Sequence, residues 1–311
     1  MISAWPFKPY AHYRGEVGEG ALSRLFEAQI RRMRPDDKRH TFYSVGRKGA
    51  PGGLAALSRL DWDAKYLKAG AARIDWLIAS GTYESQFAVK ETLLKQILKA
   101  CVAARVRHLS CRVASSDLSG IHVLEQNGFV MVDGILTFSL DTRGWKRPKR
   151  QGGFSVRLCR ESDIKQVREI GRRSYIYDRF HSDPRIAKKA ADRLHAAWVE
   201  NACRGSASDA VVVAEEKGRI LGFVTCKIDP YSTEHLGLKI GTIVLVATAG
   251  GGRHRGVARE MTYGAIAWFR DQGCDKVEVG TQFRNIPASR LYAACGFPLV
   301  ATSLSLRRWL D

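Results

Sequence analysis

The sequence predicts an α/β protein built from two tandem copies of one domain, each a mixed central sheet flanked by helices. Three observations carry this. A chain of 311 residues with 45% hydrophobic content can bury two sizeable cores. In its second half, β-branched runs alternate with amphipathic segments. Sliding the chain against itself by 168 residues lays HLSCRVASSDLSGIHVLEQNGFVMVDGILTFSL on KVEVGTQFRNIPASRLYAACGFPLVATSLSLRR, with Gly128-Phe129 on Gly296-Phe297.

The first copy is expected over residues 1–142. Its opening 58 residues match no pattern, and GEVGEG near residue 15 follows no apolar strand, so it reads as a turn and not as a dinucleotide fingerprint. Val89, Leu93, Ile97 and Cys101 at four-residue intervals mark an amphipathic helix. DTRGWKRPKRQGG, with five basic residues, a proline and three glycines, supplies a basic linker at 143–153.

The second copy is expected over 154–311. FSVRL reads as a strand, and Glu161, Ser162 and Asp163 open a helix with Ile164, Val167 and Ile170 on one face. A second helix runs from about Ile186 to Asn201. AVVVAEEKGRILGFVTCKI is a hairpin turning at Lys217-Gly218, followed by the long strand KIGTIVLVAT. A helix to about Gln272, the strand DKVEVGTQ and a short helix ended by Gly296 complete the copy.

Fifty Lys plus Arg against 31 Asp plus Glu give a net charge of +19, which favours anionic partners such as phosphates or nucleotides. The first residues lack a secretory pattern, and no apolar run approaches the roughly 18 residues a membrane span needs, so a soluble cytoplasmic protein is expected. Seven scattered cysteines without a CxxC pair predict neither disulfide nor metal site.

The stretch AGGGRHRGVARE, 249–260, joins a strand to a helix. Within it Arg253, His254, Arg255, Gly256, Val257 and Ala258 form an RxxGxA pattern at a helix N-terminus. Unpaired N–H donors and small residues there let a pyrophosphate approach the backbone; a flexible turn is the competing reading. No GK[ST] ending follows, which excludes a nucleoside-triphosphate loop.

One strand later come Asn285, Ala288, Leu291-Tyr292 and Gly296-Phe297. This NxxAxxLYxxxGF run, downstream of an RxxGxA loop, resembles the GCN5-related N-acetyltransferase (GNAT) family. The resemblance implies two GNAT-like domains, acetyl-CoA as cofactor, and a cleft between two splayed parallel strands. In this sequence Arg253 to Ala258 and Asn285 would hold the cofactor, and the strand edge at Val246, Ala247 and Thr248 would pair with its pantetheine. A backbone N–H near Val246 would stabilise the oxyanion, and Tyr292 would protonate the departing thiolate. Asn285 and Tyr292, seven residues apart, share one helix face; a helix cap and a core tyrosine are their structural alternatives. The strand 241–248 has no carboxylate, which leaves a water chain, Glu278 or His254 as base.

In the repeat register Asp117 falls on Asn285, Leu124 on Tyr292, and Lys90 on Ala258, so the first copy reads as degenerate. The acceptor is indicated by residues 177–205, where RFHSDPRI, LxxxWVEN and RG look like the bacterial dTDP-fucosamine acetyltransferases. That likeness implies a nucleotide-linked aminosugar as substrate. Arg179, Phe180, His181 and Asp183 form a mobile-looking loop offering donors and an aromatic face, with a packed loop as the alternative. Acetylation of a protein or small amine, a mycothiol-type acceptor, and a non-catalytic acyl-CoA sensor or nucleic-acid binder are the rival readings. A homodimer is a further expectation, and no nucleic-acid partner is expected.

Overall fold

The computed structural model describes residues 8–33, 39–47, 50–149 and 152–310; positions 150 and 151 of the expected linker lie outside the described residues. The chain forms two compact units, one of Met1–Ile135 with Thr302–Asp311, the other of Leu136–Ala301.

The first unit runs through α1 (Arg14–Arg32), β1 (His40–Arg47), β2 (Ala50–Arg59), α2 (Asp61–Leu67), β3 (Gly70–Ala79), α3 (Tyr83–Ala103), β4 (Val106–Ala114), α4 (Leu118–Gln126) and the start of β5 (Val130–Asp141). The GEVGEG segment expected as a turn lies inside α1. A single break at Gly18, with φ of 74°, interrupts the helix, and Leu22, Leu25 and Phe26 in its later turns are buried. β1, β2 and β3 pair antiparallel, and β3 pairs parallel with β4. The other edge of β4 takes the chain's last strand, from Ser303 opposite Ala114 to Trp309 opposite His108. Leu93, Ile97 and Cys101 of α3 are buried against Ala55, Ile74 and Leu109 of this sheet, as their spacing predicts.

The second unit continues from β5 through β6 (Ser155–Leu158), α5 (Ile164–Ser174), α6 (Lys188–Cys203), β7 (Ala210–Glu216), β8 (Arg219–Ile228), α7 (Ser232–Leu236), β9 (Ile240–Thr248), α8 (Val257–Asp271), β10 (Lys276–Gln282), α9 (Ile286–Ala294) and the start of β11 (Leu299–Trp309). Its strand order is β5-β10-β9-β8-β7-β6. The β7–β8 hairpin turns where expected. Lys217 and Gly218 both have left-handed φ, 49° and 78°, the pair of values that matches a two-residue turn to strand twist. One face of the sheet is covered by α8, whose Met261, Ile266 and Phe269 are fully buried; a Cβ on Gly241 would sit 2.3 Å from the Phe269 ring, so that glycine sets the approach. The opposite face packs Val213, Phe223, Leu245 and Ala247 against Val167 of α5 and Val199 of α6.

Two features differ from the expected organisation. The unit boundaries fall at Ile135 and Ala301 rather than on either side of 143–153, because each unit's contacts include the end strand that follows the other copy's Gly-Phe corner. Within the linker, Trp145 packs on the second unit's core with the Arg270 guanidinium 5.8 Å from its ring, so this basic run is partly anchored.

Candidate active site

β9 and β10 run parallel and stay in register only from Ile240–Lys276 to Ile243–Val279. Beyond that point β9 continues to Thr248, still laddered on its other edge to β8 through Val246–Val224 and Thr248–Gly222. The N–H groups of Leu245 and Ala249 point toward β8, donating to Thr225 Oγ1 at 2.9 Å and Leu221 O at 2.8 Å. Beyond the bulge at residues 243–245 the strand N–H groups alternate, so those of Val246 and Thr248 point the other way, into the gap that β10 has left. The residues expected at the pantetheine edge therefore carry free-facing donors at Val246 and Thr248, with Ala247 turned toward β8.

The glycine loop closes this gap at one end. Gly252 is buried, and a Cβ there would meet Leu221 O at 2.9 Å and Thr248 Cγ2 at 3.0 Å, so only glycine lets the loop fold back on β8. His254 (φ 60°) and Gly256 (φ 74°) take left-handed backbone, which turns the chain into α8. Gly256 caps α8 with no side-chain hydrogen bond, and the first helical bond runs from Glu260 N to Gly256 O. The amides of Val257 and Ala258 thus start a 15-residue helix without helical acceptors, beside side chains no larger than methyl at 256 and 258. This donor set fits a pyrophosphate. Arg253 and His254 are exposed at the loop. Arg255 is directed elsewhere: its guanidinium holds Glu216 at 2.5 Å and 3.1 Å and Gly251 O at 3.2 Å, which pins the loop to the end of β7.

Asn285 occupies the N-cap of α9, its side chain accepting from Ala288 N at 3.3 Å, with Pro287 in the first turn. Its structural alternative is thus realised; its carboxamide NH2 is not engaged by that cap. Tyr292, 3% exposed, sits between Phe138 and Phe297 with ring separations of 5.9 Å and 6.1 Å. Burial pushes its phenol well above the ordinary value, so it stays protonated at neutral pH. Of the candidate bases, Glu278 lies opposite Thr242 in the paired part of the strands, and His254 is exposed on the loop.

The acceptor loop is packed rather than open. Phe180 (3% exposed) and Asp183 (2%) are buried, with the Arg179 guanidinium 4.6 Å over the Phe180 ring and Asp183 accepting from Arg185 N at 3.0 Å. His181 is clamped: Nδ1 meets Asp178 Oδ2 at 2.5 Å, and Nε2 meets Asp192 Oδ1 at 3.0 Å. Two carboxylates on two ring nitrogens require both to carry protons. Burial opposes this, but Asp178 and Asp192 outweigh it and raise the His181 pKa. His195, on α6, turns Nδ1 to Ala191 O at 3.0 Å and stacks its ring on Tyr175 at 4.4 Å; burial lowers its pKa. Ligand-type atoms of Asp178, His181 and His195 lie within 4.8 Å of one another. The 2.5 Å Asp178–His181 contact is nevertheless a hydrogen bond, since zinc donors at about 2.0–2.1 Å from a tetrahedral ion sit roughly 3.3 Å apart. Arg284, adjacent to Asn285, donates to Ser182 Oγ and ties this loop to the start of α9. Tyr175, Asp178, Asp192 and His195 were not anticipated; the three-residue spacings Asp178–His181 and Asp192–His195 were the available signal.

In the first unit the matching positions are closed. Lys90 is fully buried, with Nζ 2.5 Å from Asp117 Oδ1 and 2.9 Å from Ser119 Oγ, and Asp117 caps α4 by accepting from Gly120 N at 3.0 Å.

The second unit thus combines a gapped parallel strand pair, an uncapped helix start over small residues and a buried phenol. Residues 165–297 match the model of the acetyltransferase (GNAT) family. The match supports an N-acetyltransferase activity, and acetyl-CoA is the cofactor of the family matched. The chain is 24% identical over 201 residues to a dTDP-fucosamine acetyltransferase of Escherichia coli O6:H1, covering 64% of this chain and 81% of that protein. It is 23% identical over 248 residues to the spore coat polysaccharide biosynthesis protein SpsD of Bacillus subtilis strain 168, covering 76% of each. Among solved structures, a tandem GNAT protein from the clavulanic acid biosynthesis pathway has a similar fold, with a TM-score of 0.59 and 12% identity. That match covers 94% of this chain and 87% of the other.

Proposed function

We propose that the second unit transfers an acetyl group from acetyl-CoA to the amino group of a nucleotide-linked aminosugar of the dTDP-4-amino-4,6-dideoxygalactose type. The observation that carries the transfer reading is the open edge of β9 between the glycine loop and Tyr292. The acceptor class rests on the two curated relatives, one named for dTDP-fucosamine and one for coat polysaccharide. The +19 charge suits a diphosphate-bearing substrate. Among the described residues, no helix is long and apolar enough to cross a membrane. We place the reaction in the cytoplasm, where acetyl-CoA and nucleotide sugars coexist.

Acetyl-CoA supplies the activated acyl group. The amides of Val257 and Ala258 and the carboxamide of Asn285 would hold its phosphate-bearing part, and the outward N–H groups of Val246 and Thr248 would hold its pantetheine. The Val246 N–H would stabilise the negative charge that develops on the acyl oxygen. Tyr292 keeps its proton at neutral pH and delivers it to the leaving sulfur. No carboxylate stands on β9, and the amine is deprotonated through solvent.

The test is thiol release from acetyl-CoA with dTDP-4-amino-4,6-dideoxygalactose, against a no-acceptor control and a lysine peptide. Sugar-dependent release supports the reading, and peptide-dependent release alone replaces it with protein acetylation. Tyr292→Phe should lower kcat about 10²–10⁴-fold while leaving acetyl-CoA affinity largely intact. Unchanged turnover removes the role given to this phenol.

A further inference from the structure

Tyr175 ends α5 and turns the chain into the acceptor loop, with extended backbone at φ −91° and ψ 130°. Its ring stacks on His195 at 4.4 Å and 23°, and His195 is itself fixed by Ala191 O and flanked by the His181 ring at 5.3 Å. The hydroxyl at the end of this braced ring is buried and has no hydrogen-bond partner among the described residues. A buried hydroxyl left unpaired is disfavoured, and natural proteins keep very few of them unless something arrives to pair with them.

The surroundings say where that something sits. Burial first, then Tyr292 and the Asp178 carboxylate, raise the Tyr175 pKa, so its hydroxyl stays neutral. The bond from Arg284 to Ser182 independently joins the acceptor loop to the helix that carries Tyr292. Tyr175 is therefore a rigidly held, neutral donor and acceptor at the head of the loop that Arg284 ties to the helix carrying Tyr292.

We infer that the Tyr175 hydroxyl is an acceptor-binding group, which hydrogen-bonds the incoming amine beside Tyr292 and aims its lone pair at the acyl carbon. The His195 stack and the Asp178–His181–Asp192 clamp are its positioning residues. The inference rests on the transfer reading above and not on which amine is the substrate. A neutral phenol suits this role because its oxygen accepts from an amine N–H without competing for the attacking lone pair.

A merely structural tyrosine and an acceptor-binding one respond differently to loss of the hydroxyl. Tyr175→Phe deletes an unpaired buried hydroxyl and keeps the ring, so the free enzyme should melt at the same temperature or higher. With the best amine from a panel of nucleotide aminosugars, glucosamine and a lysine peptide, the same variant should lose at least tenfold in kcat/KM for the amine. Its KM for acetyl-CoA should stay within about twofold of wild type. A melting temperature lowered by several degrees, or full retention of amine kcat/KM, would overturn the assignment. The melting arm needs no substrate, so failure of every sugar amine refutes the acceptor reading while the melting comparison still decides the status of this hydroxyl.

Discussion

Lys90 is buried completely, and Asp117, its partner at 2.5 Å, is 4% exposed. Burial lowers the Lys90 pKa even though the Asp117 charge and hydrogen bond oppose the shift. Replacing the lysine by methionine keeps most of its volume but leaves a carboxylate in the core with Ser119 and the Gly120 amide as its remaining donors. Breaking one half of a buried ion pair costs about 3–5 kcal/mol, so Lys90→Met should destabilise the first unit by that amount. The double variant Lys90→Met with Asp117→Asn removes the stranded charge and keeps a capping oxygen for Gly120, the arrangement Asn285 has at the start of α9. It should recover at least about 2 kcal/mol of the loss, read as the interaction term of a double-mutant cycle. Urea unfolding of the full chain, followed by tryptophan fluorescence with all four variants, measures it. Single and double variants equally unstable would refute the electrostatic account and leave packing of the lysine stem as the cause.

Other expectations can be checked in the same protein. NMR titration of the imidazoles should find His181 protonated above, and His195 deprotonated below, the ordinary value of 6.5. With a raised folded pKa, His181 contributes stability that is full below 6.5 and fades as pH rises through its folded value; His195, lowered by burial, adds stability with rising pH below 6.5. Reversed titration order would break the clamp described at the acceptor loop. Gly256→Ala places a Cβ on left-handed backbone at φ 74° and should cost about 1 kcal/mol while raising the KM for acetyl-CoA several-fold; an unchanged KM would remove the helix start from the cofactor site. Gly252→Val sets side-chain carbon against Leu221 O, 2.9 Å from the Cβ position, and should give mostly insoluble protein on expression.

The repeat was legible because it rests on local grammar. α4 and α9 have the same bounds once the 168-residue shift is applied, each opens on an Asx cap, and each ends in a left-handed glycine, Gly128 at 74° and Gly296 at 89°. The destination of the strands that follow was not legible. VDGILTFSL and VATSLSLRR carry similar alternation after the same corner, and a period-two pattern identifies a strand without naming its neighbour. Contacts assign Leu136 onward to the second unit and Thr302 onward to the first. The acceptor loop misled for a related reason. Polar residues between helices look solvent-facing in sequence, and only the fold reveals that Asp178 and Asp192 neutralise a buried histidine between them. At the glycine loop the pattern was read correctly as a helix start, but it could not show that Arg255 reaches back to Glu216 instead of outward.

The contrast between the two copies follows from where each helix begins. The same shift places Tyr83, the first residue of α3, on Gly251, so in the first unit helix already occupies the stretch that forms the glycine loop in the second. That earlier start is capped by Thr82, whose side chain accepts from Ser85 N at 3.4 Å, while α8 starts on Gly256 with no side-chain cap. One copy gives one of its helix-start amides a side-chain acceptor, Thr82, and pairs its buried charge from within, Lys90 with Asp117. The other leaves its helix start without a side-chain cap and one buried phenol, Tyr175, without a hydrogen-bond partner among the described residues. A protein that keeps unsatisfied donors at one of two repeated positions gives up stability there, and a ligand returns it. Saturating acetyl-CoA should therefore raise the unfolding midpoint of the second unit and leave that of the first unchanged. Hydrogen exchange should show the same asymmetry, with new protection at residues 256–259 and none at 82–86.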